Sequence, residues 1–300
     1  MNIKGILPII KPLHWTSHRA VNTIKRKFNI KAGHAGTLDP AATGVLVICL
    51  GEATKAASYL QQTEKTYIAD ILLGTTTDTD DMDGKIIKKN EEVNVKQKDI
   101  KKILPEFIGT IDQVPPVYSA IHVDGRRLYD YARRGIEKKV LPRKVVIKDI
   151  SLESFKDLIL TLKVRCRSGT YIRALARDIG KRLGCGASLA GLVRTRSGIF
   201  SLKDAYNAED IIDNWSSDDL PDKITPIERI FKDTYEVKLS SEEYNKCRNG
   251  NFKFKDWTGL KKKLKIGGLI KLTYNDKIIT LAKYNESSLK IIKVFLYEDL

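Results

Sequence analysis

The chain has 300 residues, a formal net charge of +16 and an apolar fraction of 42%. This length suits one large domain, or a large domain with a small one, and the apolar fraction is sufficient for a hydrophobic core. No apolar run in the sequence is long enough to span a membrane, which argues against a membrane protein. The excess of Lys and Arg favours a polyanionic partner such as nucleic acid, although a lysine-rich background composition would give the same charge.

The cysteine pattern and the first residues of the chain indicate a cytoplasmic protein. The four cysteines are Cys49, Cys166, Cys185 and Cys247. None forms a C-x-x-C pair, which argues against a zinc site or a redox motif and predicts free thiols. Residues 1–12 contain a proline and lack a small-residue cleavage site, so they predict a strand and not a signal peptide.

The first third of the chain predicts one helix and two strands. Residues 17–28 are expected to be helical, with Ser17 as the N-cap, because apolar side chains recur on one face. Residues 45–50 have the length and apolarity of a buried strand, and residues 66–73 also predict a strand. The acidic loop 78–84 does not match the ligand spacing of a calcium loop, so no metal site is predicted there.

The next segments predict a turn and a short helix. Residues 117–123 alternate in polarity and end at Asp124-Gly125, a strong turn signal. Residues 126–135 then predict a short helix that Gly135 closes in the left-handed conformation.

A strand and a second amphipathic helix follow. Residues 158–166 alternate as a strand does, and the helix after them is expected to begin with Thr170 as its N-cap and to end at Gly184. Strands joined by irregular stretches and interspersed helices predict an α+β domain with a mixed, mostly antiparallel sheet.

The last part of the chain predicts a separate small domain. Residues 214–234 contain two prolines and few periodic apolar positions, which indicates a domain junction. From Glu236 onward the pattern is of short strands, with a hairpin turn at Asn275-Asp276, and a small β-barrel is expected. This tail has 14 Lys and Arg against 8 Asp and Glu, which suits an RNA-binding module.

Asp39 is the first candidate for chemistry. It stands before Pro40, so it is expected in an extended or turn conformation. Gly33, Gly36 and Gly44 lie around it and allow a large ligand to approach the backbone. From this stretch alone, the structural roles of an aspartate before proline, as a turn residue or helix cap, stay open beside catalysis.

Arg173 and Tyr67 are the other two candidates. Arg173 lies near the start of a predicted helix, and beside Asp39 it would keep that carboxylate ionised and oriented. A surface arginine is the alternative. Tyr67 lies in a predicted strand, where its ring could stack on an unpaired base or fill the core.

The sequence contains no motif for a cofactor. His14 and His18 have the spacing of a helical zinc pair but lack a third ligand. No glycine-rich loop matches a phosphate-binding or dinucleotide fingerprint. We therefore expect chemistry without a metal, ATP or a redox cofactor.

Two basic segments are candidates for binding RNA. Residues 126–135 and 141–148 interleave cations with aromatic or apolar side chains. Such a mixture suits an arm that grips a phosphate backbone and stacks on bases, and it also suits a solvated amphipathic helix. The cations predicted to bind RNA are Lys11, Arg126, Arg127, Arg133, Arg134 and Arg143.

Seven stretches taken together resemble the TruB family of pseudouridine synthases, which modify uridine 55 of bacterial tRNA. They occur in the family's order and cover most of residues 5–200. They are KP…TS at 11–17, GHAGTLDPAATGVL at 33–46, KTYIAD at 65–70, DTDDMDG at 78–84, PPVYSAIHVDGRRLYDYARRG at 115–135, GTYIRALARDIG at 169–180 and GCGASLAGLVRTRSGIF at 184–200.

The resemblance implies an enzyme that flips uridine 55 out of the T-loop of tRNA and isomerises it to pseudouridine without a cofactor. It implies that Asp39 is the catalytic residue, either as a nucleophile at C1′ or as a base that forms a glycal. Arg173 would pair with this acid, and Asp81 with Arg173. The substrate-binding residues that the resemblance implies are His34, Tyr67, Tyr171, Arg173, Leu192 and Asp81.

The resemblance also implies the domains and the partner. Residues 1–232 would form the catalytic domain, 115–145 an insertion that clasps the T-arm of tRNA, and 236–300 a PUA-like RNA-binding domain. We expect a cytoplasmic monomer that acts on tRNA, with no guide RNA and no membrane. A non-catalytic tRNA-binding protein on the same scaffold, or an RNA-guided relative, would share the basic surface.

One position departs from the family pattern. The family often has glycine where this chain has His14, within the stretch KPLHWTS. Because glycine permits a positive φ, we expect this turn to be built differently here or to contact RNA differently.

Overall fold

The computed structural model describes residues 3–119, 121–136, 138, 140–248, 266–285 and 288–295. Its strands are, in chain order, β1 (Gly5–Lys11), β2 (Ala32–His34), β3 (Ala42–Leu50), β4 (Lys65–Leu73), β5 (Thr75–Thr77), β6 (Ile86–Lys89), β7 (Gly109–Gln113), β8 (His122–Val123), β9 (Arg126–Arg127), β10 (Arg143–Lys156), β11 (Ile159–Cys166), β12 (Ala187–Ser197), β13 (Phe200–Ser201), β14 (Tyr206–Asn207), β15 (Tyr235–Lys238), β16 (Leu269–Tyr274), β17 (Lys277–Asn285) and β18 (Ser288–Val294). Its helices are α1 (Ser17–Lys27), α2 (Ala57–Gln61), α3 (Gln97–Ile103), α4 (Leu128–Arg133), α5 (Ile172–Arg182), α6 (Ala208–Asn214), α7 (Leu220–Lys223), α8 (Ile227–Ile230) and α9 (Ser241–Arg248). Within these described ranges, no helix is both long and apolar enough to cross a bilayer.

A large mixed sheet forms the centre of the molecule. Its strand order is β14-β1-β3-β12-β4-β11-β10-β7, with β2 beside β3 and β13 beside β12. The pairs β1–β14 and β3–β12 are parallel, and the other neighbouring pairs of this sheet are antiparallel. The predicted α+β class with a mixed, mostly antiparallel sheet is confirmed.

Strand β3 is buried on both faces, which explains the apolar run at residues 45–50. Because successive side chains of a strand point to opposite faces, Leu46 and Ile48 enter one core and Val45 and Val47 enter another. The first core also holds the apolar faces of α1 and α5, and the second holds side chains of α8 and β17.

A second, smaller sheet lies in the C-terminal part, with strand order β15-β16-β17-β18. Ile278 and Leu281 of β17, together with Phe295 just after β18, belong to the second core, so this sheet is docked on β3. The predicted hairpin turn at Asn275-Asp276 is present, with left-handed φ values of 47° and 57°. The expected barrel stays a prediction, because residues 249–265 lie outside the described residues.

The N-cap predicted for α1 is wrong by one residue. Thr16 caps the helix, since its hydroxyl accepts the Arg19 N–H at 3.0 Å. The buried Ser17 hydroxyl instead donates to the Leu38 C=O at 2.9 Å and accepts the Leu38 N–H at 2.8 Å. A tertiary contact to the loop that carries Asp39 therefore takes the place of the expected cap.

The N-cap predicted for α5 is also wrong. The helix begins at Ile172, and the Thr170 hydroxyl donates to the Arg167 C=O at 3.0 Å without capping it. The cap residue is Tyr171, and its N–H donates to Oε1 of Gln113 at 2.9 Å.

His14 occupies the turn between β1 and α1, and its backbone is left-handed with φ = 62°. Its N–H donates to the Pro40 C=O at 2.8 Å. Whether the turn differs from that of glycine-containing relatives stays a prediction. His14 adopts a left-handed conformation that costs a glycine nothing, and this hydrogen bond holds it there.

Replacing His14 with glycine is expected to raise the free energy of unfolding by about 0.5–1 kcal/mol. The reason is that the left-handed penalty of a Cβ, roughly 1–2 kcal/mol, exceeds the entropy cost of glycine, roughly 0.5–1 kcal/mol. Urea unfolding of the H14G and H14A variants measures this. H14A keeps the Cβ and should show no gain, so an equal gain in both variants would contradict a backbone origin.

Candidate active site

Asp39 lies on the loop between β2 and β3, at an open cleft. Its backbone C=O accepts the Ala42 N–H at 3.1 Å, which closes a turn through Pro40. The side chain is 41% exposed, so the carboxylate can be reached from the cleft. The turn therefore uses the backbone of Asp39 and leaves its carboxylate available.

The guanidinium of Arg173, in the first turn of α5, is buried between two carboxylates. Its side chain is 7% exposed, with Nε 2.9 Å from Oδ2 of Asp39 and Nη1 3.5 Å from Oδ2 of Asp81. The Nε–H does not point towards Asp39, so that contact is an ion pair and not a hydrogen bond. Nη1 and Nη2 donate to the C=O groups of Thr79 and Tyr118, each at 3.1 Å.

The acidic loop that carries Asp81 is fixed against β12 and α5. The Met82 N–H donates to the Leu189 C=O, and the Leu189 N–H donates to the Asp80 C=O, both at 3.0 Å. Nη1 of Arg177 pairs with Asp80 at 2.8 Å. Burial raises the pKa of Asp81, while a hydrogen bond from Thr79 and the charge of Arg173 act in the opposite direction.

The cleft has a volume of about 880 Å³ and brings together most of the residues expected from the sequence. Those that line it are Asp39, Tyr67, Tyr171, Arg173, Leu192 and Arg143. Asp81 lies behind Arg173 and lines a smaller neighbouring pocket with Asp39 and Leu192. His34 is not among the lining residues: it lies half-buried in β2, where burial first and then the charge of Arg194 lower its pKa.

Two tyrosines form part of the cleft wall. Tyr67 lies on β4 and is 9% exposed, and burial raises the pKa of its hydroxyl. Burial also raises the pKa of Tyr171, whose backbone C=O accepts from Nε2 of Gln113 at 3.1 Å. Both hydroxyls therefore stay protonated at neutral pH, and both rings remain uncharged faces.

Lys11 is a correction to the predicted set of RNA-binding cations. Its side chain is fully buried, and Nζ donates to the C=O groups of Pro12 at 2.8 Å, Trp15 at 2.6 Å and Pro40 at 3.5 Å. Burial lowers its pKa to about 8. Its donors are used inside the protein, so it does not offer a charge to RNA.

The other predicted cations are on the surface or outside the described side chains. Arg126, Arg134 and Arg143 are exposed. The side chains of Arg127 and Arg133 lie outside the described residues.

The family comparison agrees with this geometry. The model for the TruB family pseudouridylate synthase N-terminal domain matches residues 22–172, and the model for the tRNA pseudouridylate synthase B C-terminal domain matches residues 173–232. The chain belongs to the TruB family. The resemblance inferred from the seven stretches is thus confirmed.

Relatives of this TruB family member match nearly all of its length. A protein named tRNA pseudouridine synthase B from Clostridium tetani is 36% identical, covering 98% of this chain and 100% of the relative. One of the same name from Francisella philomiragia is 38% identical, covering 100% of this chain and 97% of the relative. Among solved structures, a Cbf5-Nop10-Gar1 complex contains a chain with TM-score 0.72 and 25% identity, covering 98% of this chain and 86% of that one.

Three basic residues of this TruB cleft were not singled out from the sequence: Lys65, Arg167 and Arg194. Arg167 is exposed at the cleft, whereas Lys65 and Arg194 are buried. Arg167 stands two residues before the Gly169 turn, a position that could have indicated it. A buried arginine within a strand has no comparable sequence signal, because strand alternation predicts only apolar residues for the inner face.

The two histidines with zinc-like spacing are not on one helix, since His14 precedes α1 and His18 lies within it. Among the residues that the structure describes, no group of three His, Cys, Asp or Glu side chains could hold a metal ion.

The buried Lys11 predicts a pH dependence of stability. The pKa of the Lys11 amine is 10.5 in the unfolded chain and about 8 in the folded chain. The unfolded state therefore binds more protons between these values, and the free energy of unfolding rises with pH there. Relative to the K11M variant, the natural chain should gain about 2 kcal/mol between pH 8 and pH 10 in urea unfolding. A difference that stays constant over this range would contradict the lowered pKa.

Proposed function

We propose that this chain converts uridine 55 of tRNA into pseudouridine. The observation that carries the proposal is a reachable carboxylate, Asp39, paired with the buried Arg173 in a cleft that Tyr67 also lines. Relatives named tRNA pseudouridine synthase B, at 36% and 38% identity over nearly the whole chain, support the same substrate.

The reaction needs a cleft of this kind. The N1–C1′ bond of uridine breaks, the base rotates, and C5 joins C1′, with a proton lost from C5 and one gained at N1. A uridine inside a folded tRNA loop must first leave the stack to reach an acid at the wall of a cleft. The cleft is large enough for a nucleoside, and its two protonated tyrosines offer neutral surfaces for a flipped base.

Asp39 supplies the chemistry as a carboxylate. The Arg173 guanidinium, whose Nε lies 2.9 Å from Oδ2 of Asp39, fixes the direction of this side chain. An ionised Asp39 could attack C1′ as a nucleophile or remove a ribose proton as a base, and both routes require the same charge state. Asp81 holds Arg173 from the other side and so maintains this pair.

The start of the expected RNA-clasping insertion, residues 115–145, is hydrogen-bonded to α5, the helix that carries Arg173. Nη2 of Arg177 donates to the Val114 C=O at 2.7 Å, and Nη2 of Arg173 donates to the Tyr118 C=O at 3.1 Å. The exposed Arg143, near the end of this segment, lines the cleft. These contacts support an insertion that grips the T-arm of tRNA while remaining tied to the acid.

The remaining parts of the proposal concern organisation. Residues 1–232 would act as the catalytic domain and 236–300 as a PUA-like RNA-binding domain. The chain would work in the cytoplasm as a monomer, because one copy contains the complete constellation of acid, arginine and tyrosine.

An RNA-guided synthase is the second candidate, because the fold is similar to the chain in the Cbf5-Nop10-Gar1 complex. Higher identity to the proteins named tRNA pseudouridine synthase B favours the unguided enzyme. Turnover of a tRNA transcript by the purified chain, with no other RNA present, separates the two.

The decisive test uses a tRNA transcript with tritium at C5 of its uridines. The chain should release tritium from one site in the T-loop, since joining C5 to C1′ expels that atom. D39N should slow release by about 10³-fold or more and keep the dissociation constant for tRNA within about threefold. A tRNA with cytidine at position 55 serves as the substrate control. If the natural chain binds tRNA tightly but releases no tritium, it is instead a non-catalytic tRNA-binding protein.

Asp81 is expected to act through Arg173. D81N removes one of the two charges that hold the guanidinium, so the single-turnover rate at saturating tRNA should fall about 10–100-fold. D83N is the matched control, because Asp83 lies on the same loop and is exposed. It should keep the natural rate. Equal loss in both variants would indicate a general effect of the loop's charge.

A further inference from the structure

Arg194 is a buried arginine that points at the loop of Asp39. It lies on β12, where it is paired with Gly44 of β3 and with Tyr67 of β4, and its side chain is 1% exposed. A Cβ on Gly44, which has φ = 103°, would lie 2.3 Å from the Arg194 C=O oxygen. The glycine thus lets β3 and β12 approach closely, directly beneath the loop.

The guanidinium of Arg194 donates to three backbone carbonyls of this region. Nε donates to Val45 at 2.7 Å, Nη1 to Thr37 at 3.1 Å and Nη2 to Gly36 at 3.0 Å. Two of these acceptors immediately precede Leu38 and Asp39 in the chain. A guanidinium presents its donors in a rigid fork, and a lysine at this site could not bond three carbonyls in those directions.

Arg194 completes a set of side chains that fix the acid-bearing loop. Ser17 holds both the N–H and the C=O of Leu38, and Lys11 approaches the C=O of Pro40 at 3.5 Å. Arg194 holds the carbonyls of Gly36 and Thr37, which precede Leu38. The loop has no regular secondary structure of its own, so these side chains substitute for ladder hydrogen bonds.

Burying this charge is costly, because its donors go to neutral carbonyls and not to a carboxylate. An apolar residue would fill the same position between β3 and β4 without that cost. The reason for an arginine at this position is therefore the order that its hydrogen bonds impose on the Asp39 loop.

We propose that Arg194 is a positioning residue for catalysis: its guanidinium fixes the carbonyls of Gly36 and Thr37 and thereby sets the placement of the Asp39 carboxylate against the flipped uridine. The inference rests on the proposed function. It extends the catalytic set to a residue that acts on the acid through the backbone of the loop.

The test compares R194K with R196K. Arg196 lies two residues away on β12, is exposed, and donates to the Gly198 C=O at 3.0 Å, so R196K is the matched control. At saturating tRNA and well below the unfolding temperature, R194K should form pseudouridine about 100-fold more slowly in a single turnover, because the acid is misplaced. Its dissociation constant for tRNA should stay within about threefold, and R196K should match the natural chain.

A second readout does not depend on activity. In R194K, amide hydrogen exchange of the peptide 33–46 should accelerate, while that of α5 stays unchanged.

A third experiment uses chemical rescue. In R194A, added guanidinium ion should restore part of the rate of pseudouridine formation, and it should restore none in D39N. This variant also covers the case in which the flexible lysine ammonium of R194K disturbs packing.

Three results would overturn the proposal. A natural rate in folded R194K means that Arg194 acts on stability alone. Weakened tRNA binding with a natural rate at saturation means that it contacts RNA. Unchanged exchange of the loop means that the fork does not order it. Failure of the natural chain to form pseudouridine in the same assay would count against the proposed function instead, and the exchange measurement would still decide the role of Arg194.

Discussion

The arrangement of the site depends on one buried guanidinium, that of Arg173. An arginine removed from water needs its charge compensated and partners for its donors. Two carboxylates lie against the Arg173 guanidinium and two backbone carbonyls accept from Nη1 and Nη2, and these groups come from three separate segments: the Asp39 loop, the acidic loop after β5 and the insertion after β7. These segments are brought together around the first turn of α5 because each supplies part of what that charge requires.

The same principle operates twice more nearby, with backbone in the place of carboxylates. Lys11 and Arg194 are buried cations whose donors go to carbonyl oxygens. Carbonyl partners leave the positive charge uncancelled, so the acid of Asp39 lies in a region of positive potential. Such a field attracts a polyanionic ligand.

The sequence was sufficient for the elements with a regular pattern. The apolar run of β3, the alternation of β4 and β11 and the amphipathic faces of α1 and α5 all follow from local periodicity. The pairing of Asp39 with Arg173 was also expected, but from the family resemblance and not from spacing.

The predictions that were wrong concern side chains whose positions are decided by tertiary contacts. Ser17 is not a cap because Leu38 occupies its hydroxyl, and Lys11 does not face RNA because carbonyls of its own turn surround it. The direction in which a cation points is not encoded in its identity.

The docking of the C-terminal sheet has a consequence for dissecting the chain. Phe295, Ile278 and Leu281 complete the core on one face of β3, and Nζ of Lys55 donates to the Val294 C=O at 2.8 Å. A chain shortened before β15 would expose that face of β3 to water, and the exposed apolar surface would favour aggregation. Loss of activity after such a truncation would therefore report a damaged scaffold as much as a missing RNA contact. Point substitutions on the outer surface of the tail can separate the two, because they leave the shared core intact.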